Sequence, residues 1–157
     1  MDVPTNKRDF FGNRIYSQLP KTVTAGKKTI NVLELPSNQP ENFSGAVGNF
    51  DIELSTNKSE LNASESVQAK IKISGTGNLK LFSIPDLTVP SSIEKYEPEY
   101  VDNVKTNIKG MYGSISNTYT LVPQFKGKFP ISPIEFVYFD PLKKTYKSIK
   151  SSQTIID

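Results

Sequence analysis

Four carboxylates crowd one short stretch, "IEKYEPEYVDN": Glu94, Glu97, Glu99 and Asp102. A loop that turns several carboxylate oxygens toward one point is what a calcium ion requires. This stretch lacks the alternating Asp/Asn ladder and central glycine of a calcium loop, and Lys95 and Lys105 offset part of its charge. It reads as a solvated loop. "SGTGN" at 74–78 has the glycines of a phosphate cradle. It has neither the Lys-Ser/Thr that completes one nor a following helical pattern to supply an anion-binding dipole. It reads as a turn or bulge whose glycines can take positive φ. Serine is abundant, but the chain has no histidine, so a Ser–His–acid relay cannot be assembled from it. No Ser–Lys spacing stands out. The absence of cysteine removes thiol nucleophiles, a disulfide framework and thiolate zinc sites. The expectation is a protein that is not an enzyme, with no catalytic residues, no bound metal and no cofactor.

Aromatic residues offer another route to function. Tyr96, Tyr100, Tyr112, Phe125, Tyr138, Phe139 and Tyr146 could line a binding surface, because aromatics concentrate at interfaces. In a chain without Trp and rich in Phe and Tyr, most are expected in the core or in cross-strand pairs. Asn42, Asn57 and Asn62 each head an Asn-x-Ser triplet and mark three surface loops. The net charge is only +3, and the lysines are interleaved with Asp and Glu. That dispersal argues against a nucleic-acid footprint, which clusters basic residues on one face. No run approaches the ~18–20 apolar residues that span a bilayer, and no leader-type apolar run follows Met1. Met1 precedes the polar "DVPTNKRD", so the start reads as an internal point of a longer protein.

The elements that must position these residues are strands. In "NFDIELS", Phe50, Ile52 and Leu54 alternate with Asp51, Glu53 and Ser55, the period of a strand with one buried face. "VQAKIKISG" repeats it with Val67, Ala69, Ile71 and Ile73 inward. Pro85, Pro90 and Pro98 demote the next stretch to edge strand or crossing loop. "SISNTYTLVP" resumes the alternation through Ile115, Tyr119 and Leu121, and "IEFVYFD" is almost continuously apolar, as a central strand covered on both faces would be. "YKSIKSSQTIID" is a last, more polar strand. No stretch has sustained helical spacing. About seven short strands with turns between them predict an all-β, immunoglobulin-like β-sandwich of the disulfide-free kind.

Earlier in the chain, 1–18 has no sustained period and is expected to be poorly ordered. "KTVTAGKKTINVLEL" (21–35) looks like one or two strands without partners. "PSNQPENFSG" is the strongest composition shift. It puts a domain boundary between 1–45, the remnant of a preceding β domain plus linker, and 46–157, the sandwich. Phe43, Val47 and Phe50 are expected to dock that linker as a stiff joint.

The stretch beginning "LPSNQPENFSGAVGNFDIELS", with "ISGTGNLK", "LVPQFKGKFPISPIEFVYFDP" and "KTYKSI", resembles the BatD family of oxygen-tolerance (aerotolerance) proteins over roughly 33–150. The resemblance implies a secreted, membrane-anchored protein with several immunoglobulin-like domains on the periplasmic side of the bacterial inner membrane. It implies envelope proteins as partners, among them von Willebrand A-domain proteins of the same operon and a MoxR-type ATPase system. It implies no catalytic or ligand residues. Any membrane contact would come through a transmembrane segment outside this sequence. Two functional classes follow: a non-catalytic protein-interaction module, or a carbohydrate- or ligand-binding sandwich if exposed aromatics share one sheet face.

Overall fold

The computed structural model describes residues 2–18, 20, 22–61 and 65–157. The chain forms two compact units, 1–34 and 35–157. In the first, β1 (Asp2–Arg8) and β2 (Arg14–Gln18) make an antiparallel hairpin. Its turn is organised by Asp9, whose Oδ1 accepts the amides of Phe11 and Asn13 at 2.9 and 2.8 Å. The poor order expected of 1–18 is thus corrected to a hairpin. Side-chain turn chemistry makes it, and almost none of its residues is buried. The strands expected in 21–35 do not form among the described residues there. Ile30, Val32 and Leu33 stand in solvent.

The second unit begins at Leu35, so the break lies before the expected 45/46 boundary. That boundary falls inside β3 (Phe43–Thr56). The remaining strands are β4 (Val67–Gly77), β5 (Ile93–Lys95), β6 (Glu99–Asn107), β7 (Gly110–Pro123), β8 (Phe129–Ile131), β9 (Glu135–Asp140), β10 (Thr145–Lys150) and β11 (Thr154–Ile156). Seven strands, β3 among them, form one hydrogen-bonded sheet: six follow the path β10-β9-β3-β4-β7-β5, and β6 pairs with β7 off that path. β8 and β11 pair separately. The path bends at β3. Its first residues pair parallel with β9, Phe43 with Val137 and Val47 with Phe139. From Gly48 to Thr56 it pairs antiparallel with β4. One strand therefore contributes to two layers, and the layers close on each other as a β-sandwich. The predicted fold class holds at the level of an all-β sandwich.

The core lies between the layers. Ile52, Leu54, Val67, Ile71, Ile73, Tyr119, Leu121, Phe136 and Tyr138 are all buried in it, as the period-two alternation requires. Phe50 packs edge-on against Phe82, Phe136 and Tyr138. The middle strand β9 is buried on its other face as well, which explains its unbroken apolar run. Tyr146 covers that face, with its ring against Phe139 and Phe43 and its hydroxyl donating to the Pro36 carbonyl at 2.9 Å. Phe43 is therefore held by sheet pairing and ring contact, and it belongs to the first strand of the sandwich.

Candidate interaction surface

Where β3 passes from one layer to the other, residues 45–47 leave part of their backbone without a strand neighbour. Asn78 substitutes for that neighbour. Its side-chain Oδ1 accepts from Val47 N–H at 2.7 Å, its Nδ2 donates to Gly45 C=O at 2.8 Å, and its own N–H donates to Val47 C=O at 3.1 Å. Beside it β3 and β4 approach very closely. A Cβ built on Gly77 would lie 2.2 Å from the Val47 carbonyl oxygen and 2.8 Å from the Gly48 Cα. Its φ of +144° is also one that L-residues resist. The Phe50 ring fills the space that these glycines leave. "FSGAVGNF" and "GTGN" are therefore two halves of one crossover device. The expected turn at 75–78 is the glycine-rich end of β4, and chain reversal starts only at Asn78.

A shallow groove of about 480 Å³ opens over this crossover. Val47, Gly77, Met111, Pro141 and Leu142 supply its apolar lining, while Lys109 and Asp140 supply charge. Two hairpin tips stand beside it. Leu142 is 91% exposed and Ile108 is fully exposed, each at a tip made rigid by local hydrogen bonds. Asp140 Oδ1 accepts the amides of Leu142 and Lys143 at 3.0 and 3.1 Å, and Asn107 Oδ1 accepts that of Lys109 at 2.8 Å. Asp140 Oδ2 also pairs with Lys147 at 2.8 Å. The Lys147 ammonium, followed by the amide donors, holds the Asp140 carboxyl below its usual range. The carboxylate in turn holds the Lys147 ammonium above its own.

A second polar group pins the irregular 78–92 crossing onto the sandwich. The Tyr119 hydroxyl donates to Asp86 Oδ1 at 2.8 Å. Lys95 Nζ reaches Asp86 Oδ2 at 2.7 Å and the Leu87 carbonyl at 2.8 Å, and sits 5.3 Å from the centre of the Tyr119 ring. Lys95 lowers the Asp86 carboxyl, and burial raises the Tyr119 hydroxyl. Sequence reasoning placed Tyr119 in the core but missed Asp86 and Lys95. The available signal was the phenol itself, since a buried tyrosine hydroxyl needs a polar partner.

The acidic residues do not converge. Asp102 stands opposite Ile115 on β7 and pairs with Lys80 at 2.9 Å. Glu99 stands opposite Thr118 on the other face of that sheet, and Glu94 opposite Val122, several residues along. Among the described residues no group of three or more acidic residues is placed to hold a metal ion. Nor do the tyrosines form a platform. Tyr100 opposes Asn117 and Tyr112 opposes Lys105, and the parity of these positions puts the two rings on opposite faces. Tyr96 bonds through its amide to Thr120, roughly 27 Å along β7 from Tyr112 at ~3.4 Å per residue. Phe125 is exposed on a loop, whereas Tyr138 and Phe139 are buried. Asn42 donates to Glu135 Oε2 at 3.1 Å, and Asn57 Oδ1 accepts the Gln68 amide at 2.8 Å. Asn62 lies outside the described residues.

Comparison with protein families matches residues 54–157 to the BatD DUF11 like domain. "FSGAVG" precedes the matched region, while "ISGTGN" lies inside it. Comparison with curated proteins and with solved structures returns no match.

Proposed function

The chain belongs to the BatD family, and from that premise we propose that it is a non-catalytic protein-interaction module of a membrane-anchored envelope protein associated with aerotolerance. The site of action is the periplasmic side of the bacterial inner membrane. The partners are envelope proteins, in first place the von Willebrand A-domain proteins of the same operon, which act with a MoxR-type ATPase system. The observation that carries this reading is the crossover groove with Ile108 and Leu142 beside it. Exposed aliphatic side chains on rigid hairpin tips suit docking of another protein better than capture of a small polar ligand.

The test is binding of the 157-residue chain to the purified von Willebrand A-domain proteins, followed by interferometry. I108D/L142D is expected to weaken binding at least tenfold while the melting temperature stays within a few degrees, since both side chains are solvent-exposed. Undiminished binding by this variant would reject the groove as the docking surface. Metal-stimulated hydrolysis of any substrate would reject the non-catalytic reading.

A further inference from the structure

The strand β6 has an outer edge that faces away from β7. Among the described residues it pairs only with β7. Asn107 and Gly110 close a two-residue hairpin, and the closing pair of such a hairpin is hydrogen-bonded. Glu99, Val101, Asn103 and Lys105 therefore spend their backbone bonds on β7. Tyr100, Asp102, Val104 and Thr106 point theirs away from it. The Val104 N–H is accordingly satisfied by the side-chain Oδ1 of Asp102 at 2.9 Å, a local cap on an open edge.

We propose that this edge pairs with the same edge of a second copy, antiparallel, about a two-fold axis through Asp102. The sequence of β6 selects that axis. Only residues of equal backbone orientation can face each other across the edge, so the axis must pass through a residue and not between two. Within β6, the axis at Asp102 alone sets Glu99 of each copy opposite Lys105 of the other, joining opposite charges twice on the solvent face. On the other face it sets Tyr100, which is 54% exposed, opposite Val104, an aromatic and β-branched pair of the kind that stabilises sheets. The neighbouring axis at Asn103 would oppose Val101 to Lys105 and Tyr100 to Thr106, with no charge match. At the Asp102 axis each carboxylate is already held by its own Lys80 at 2.9 Å, so the axis carries two ion pairs. On association the Val104 N–H leaves the Asp102 cap for the Tyr100 carbonyl of the other copy. The cap therefore competes with pairing and keeps the contact reversible. This surface is distinct from the crossover groove and deepens the interaction reading by naming a partner.

Sedimentation equilibrium of the 157-residue chain tests it. The wild type is expected to dimerise, more strongly at low salt. E99K and K105E each create two like-charge oppositions and are expected to weaken the dimer roughly tenfold, while E99K/K105E restores it. I108D/L142D should leave self-association unchanged, which separates failure of this surface from failure of the groove. The chain has no cysteine, so D102C is expected to cross-link to itself under mild oxidation and N103C is not. A monomer at all concentrations would overturn the proposal. So would single reversals that dimerise like the wild type, or cross-linking of N103C in preference to D102C.

Discussion

"TINVLEL" at 29–35 and "NFDIELS" at 49–55 are similar in composition and opposite in fate. Each places β-branched or other large apolar residues at alternate positions beside polar ones. In the second, Ile52 and Leu54 are nearly inaccessible. In the first, Ile30 and Val32 are 80% and 89% exposed and no strand is present. The difference is not local propensity. Residues 48–56 have β4 alongside in continuous register, and the residues before them have β9. The 29–35 stretch has no strand partner among the described residues. Alternation states what a segment would bury if it were paired, and pairing decides whether it does.

The largest expected effect tests the buried side of this comparison. Ile71 is fully buried on β4 between strands β3 and β7. Ile71→Ala should lower unfolding free energy by about 2–5 kcal/mol, read from the urea midpoint at unchanged m-value. A loss well under 1 kcal/mol would mean that the core is loosely packed and that the contrast with 29–35 is overstated. Next is the crossover. Gly77→Ala adds a Cβ against backbone atoms that cannot move independently, in a conformation that side chains disfavour. It should cost on the order of 1–3 kcal/mol. Thermal stability equal to the wild type would show that β3 and β4 can separate there without penalty.

The crossover also marks the limit of what the sequence made legible. The inward residues of β3, β4 and β7 could be read from period two, because each side chain's face depends only on its position along its own strand, and β9 could be read from its unbroken apolar run. Residues 43–47 could not. Gly45 and Gly48 look like linker punctuation, and proline with serine just upstream strengthens that reading. What makes this segment a strand is a parallel partner almost a hundred positions later, Val137 and Phe139, together with Asn78. No local pattern encodes a contact of that separation. The hairpin at 2–18 was missed for the opposite reason. Its signal is the Asp9, Gly12 and Asn13 turn chemistry, whereas strands exposed on both faces show no apolar period. For the candidate surface, Ile108 and Leu142 carried no signal, because a single apolar residue in a turn is ordinary.

A smaller, pH-dependent effect separates the ion-paired groups from the rest. Lys147 holds Asp140 below its ordinary range, and Lys95 and Lys80 do the same for Asp86 and Asp102. A depressed carboxyl contributes stability that is present above its unfolded pKa near ~4 and lost as pH falls through the lower folded value. Tyr119 and Lys147 are raised, so their contribution is present below ~10 and lost as pH rises through the folded values. Melting temperature should therefore be flat near neutrality and fall at both ends. Asp140→Asn should melt below the wild type at pH 7, and the gap should shrink below pH ~4 as the wild-type carboxylate becomes protonated. A gap that stays constant down to pH 2 would mean that Asp140 acts through its shape and not its charge.

The smallest effect tests the exposed side of the opening comparison. Val32 is 89% exposed, so Val32→Ala removes methyl groups that contact mainly water in the folded chain. The change should stay within about 0.5 kcal/mol. The same substitution type at Val67, which is fully buried, should cost several times more by the transfer and cavity terms. Amide exchange supplies the backbone counterpart. Residues 43–56 should be protected through their ladders to β9 and β4, while 29–33 should exchange freely. Suppose instead that Val32→Ala cost 1 kcal/mol or more and 29–33 were protected in dilute solution. That stretch would then have a partner strand within the monomer, and the two similar sequences would share one fate. If protection of 29–33 appeared only at high concentration, the partner would be another molecule. The charge-reversal variants on β6 would leave that protection untouched, because the two contacts use different residues.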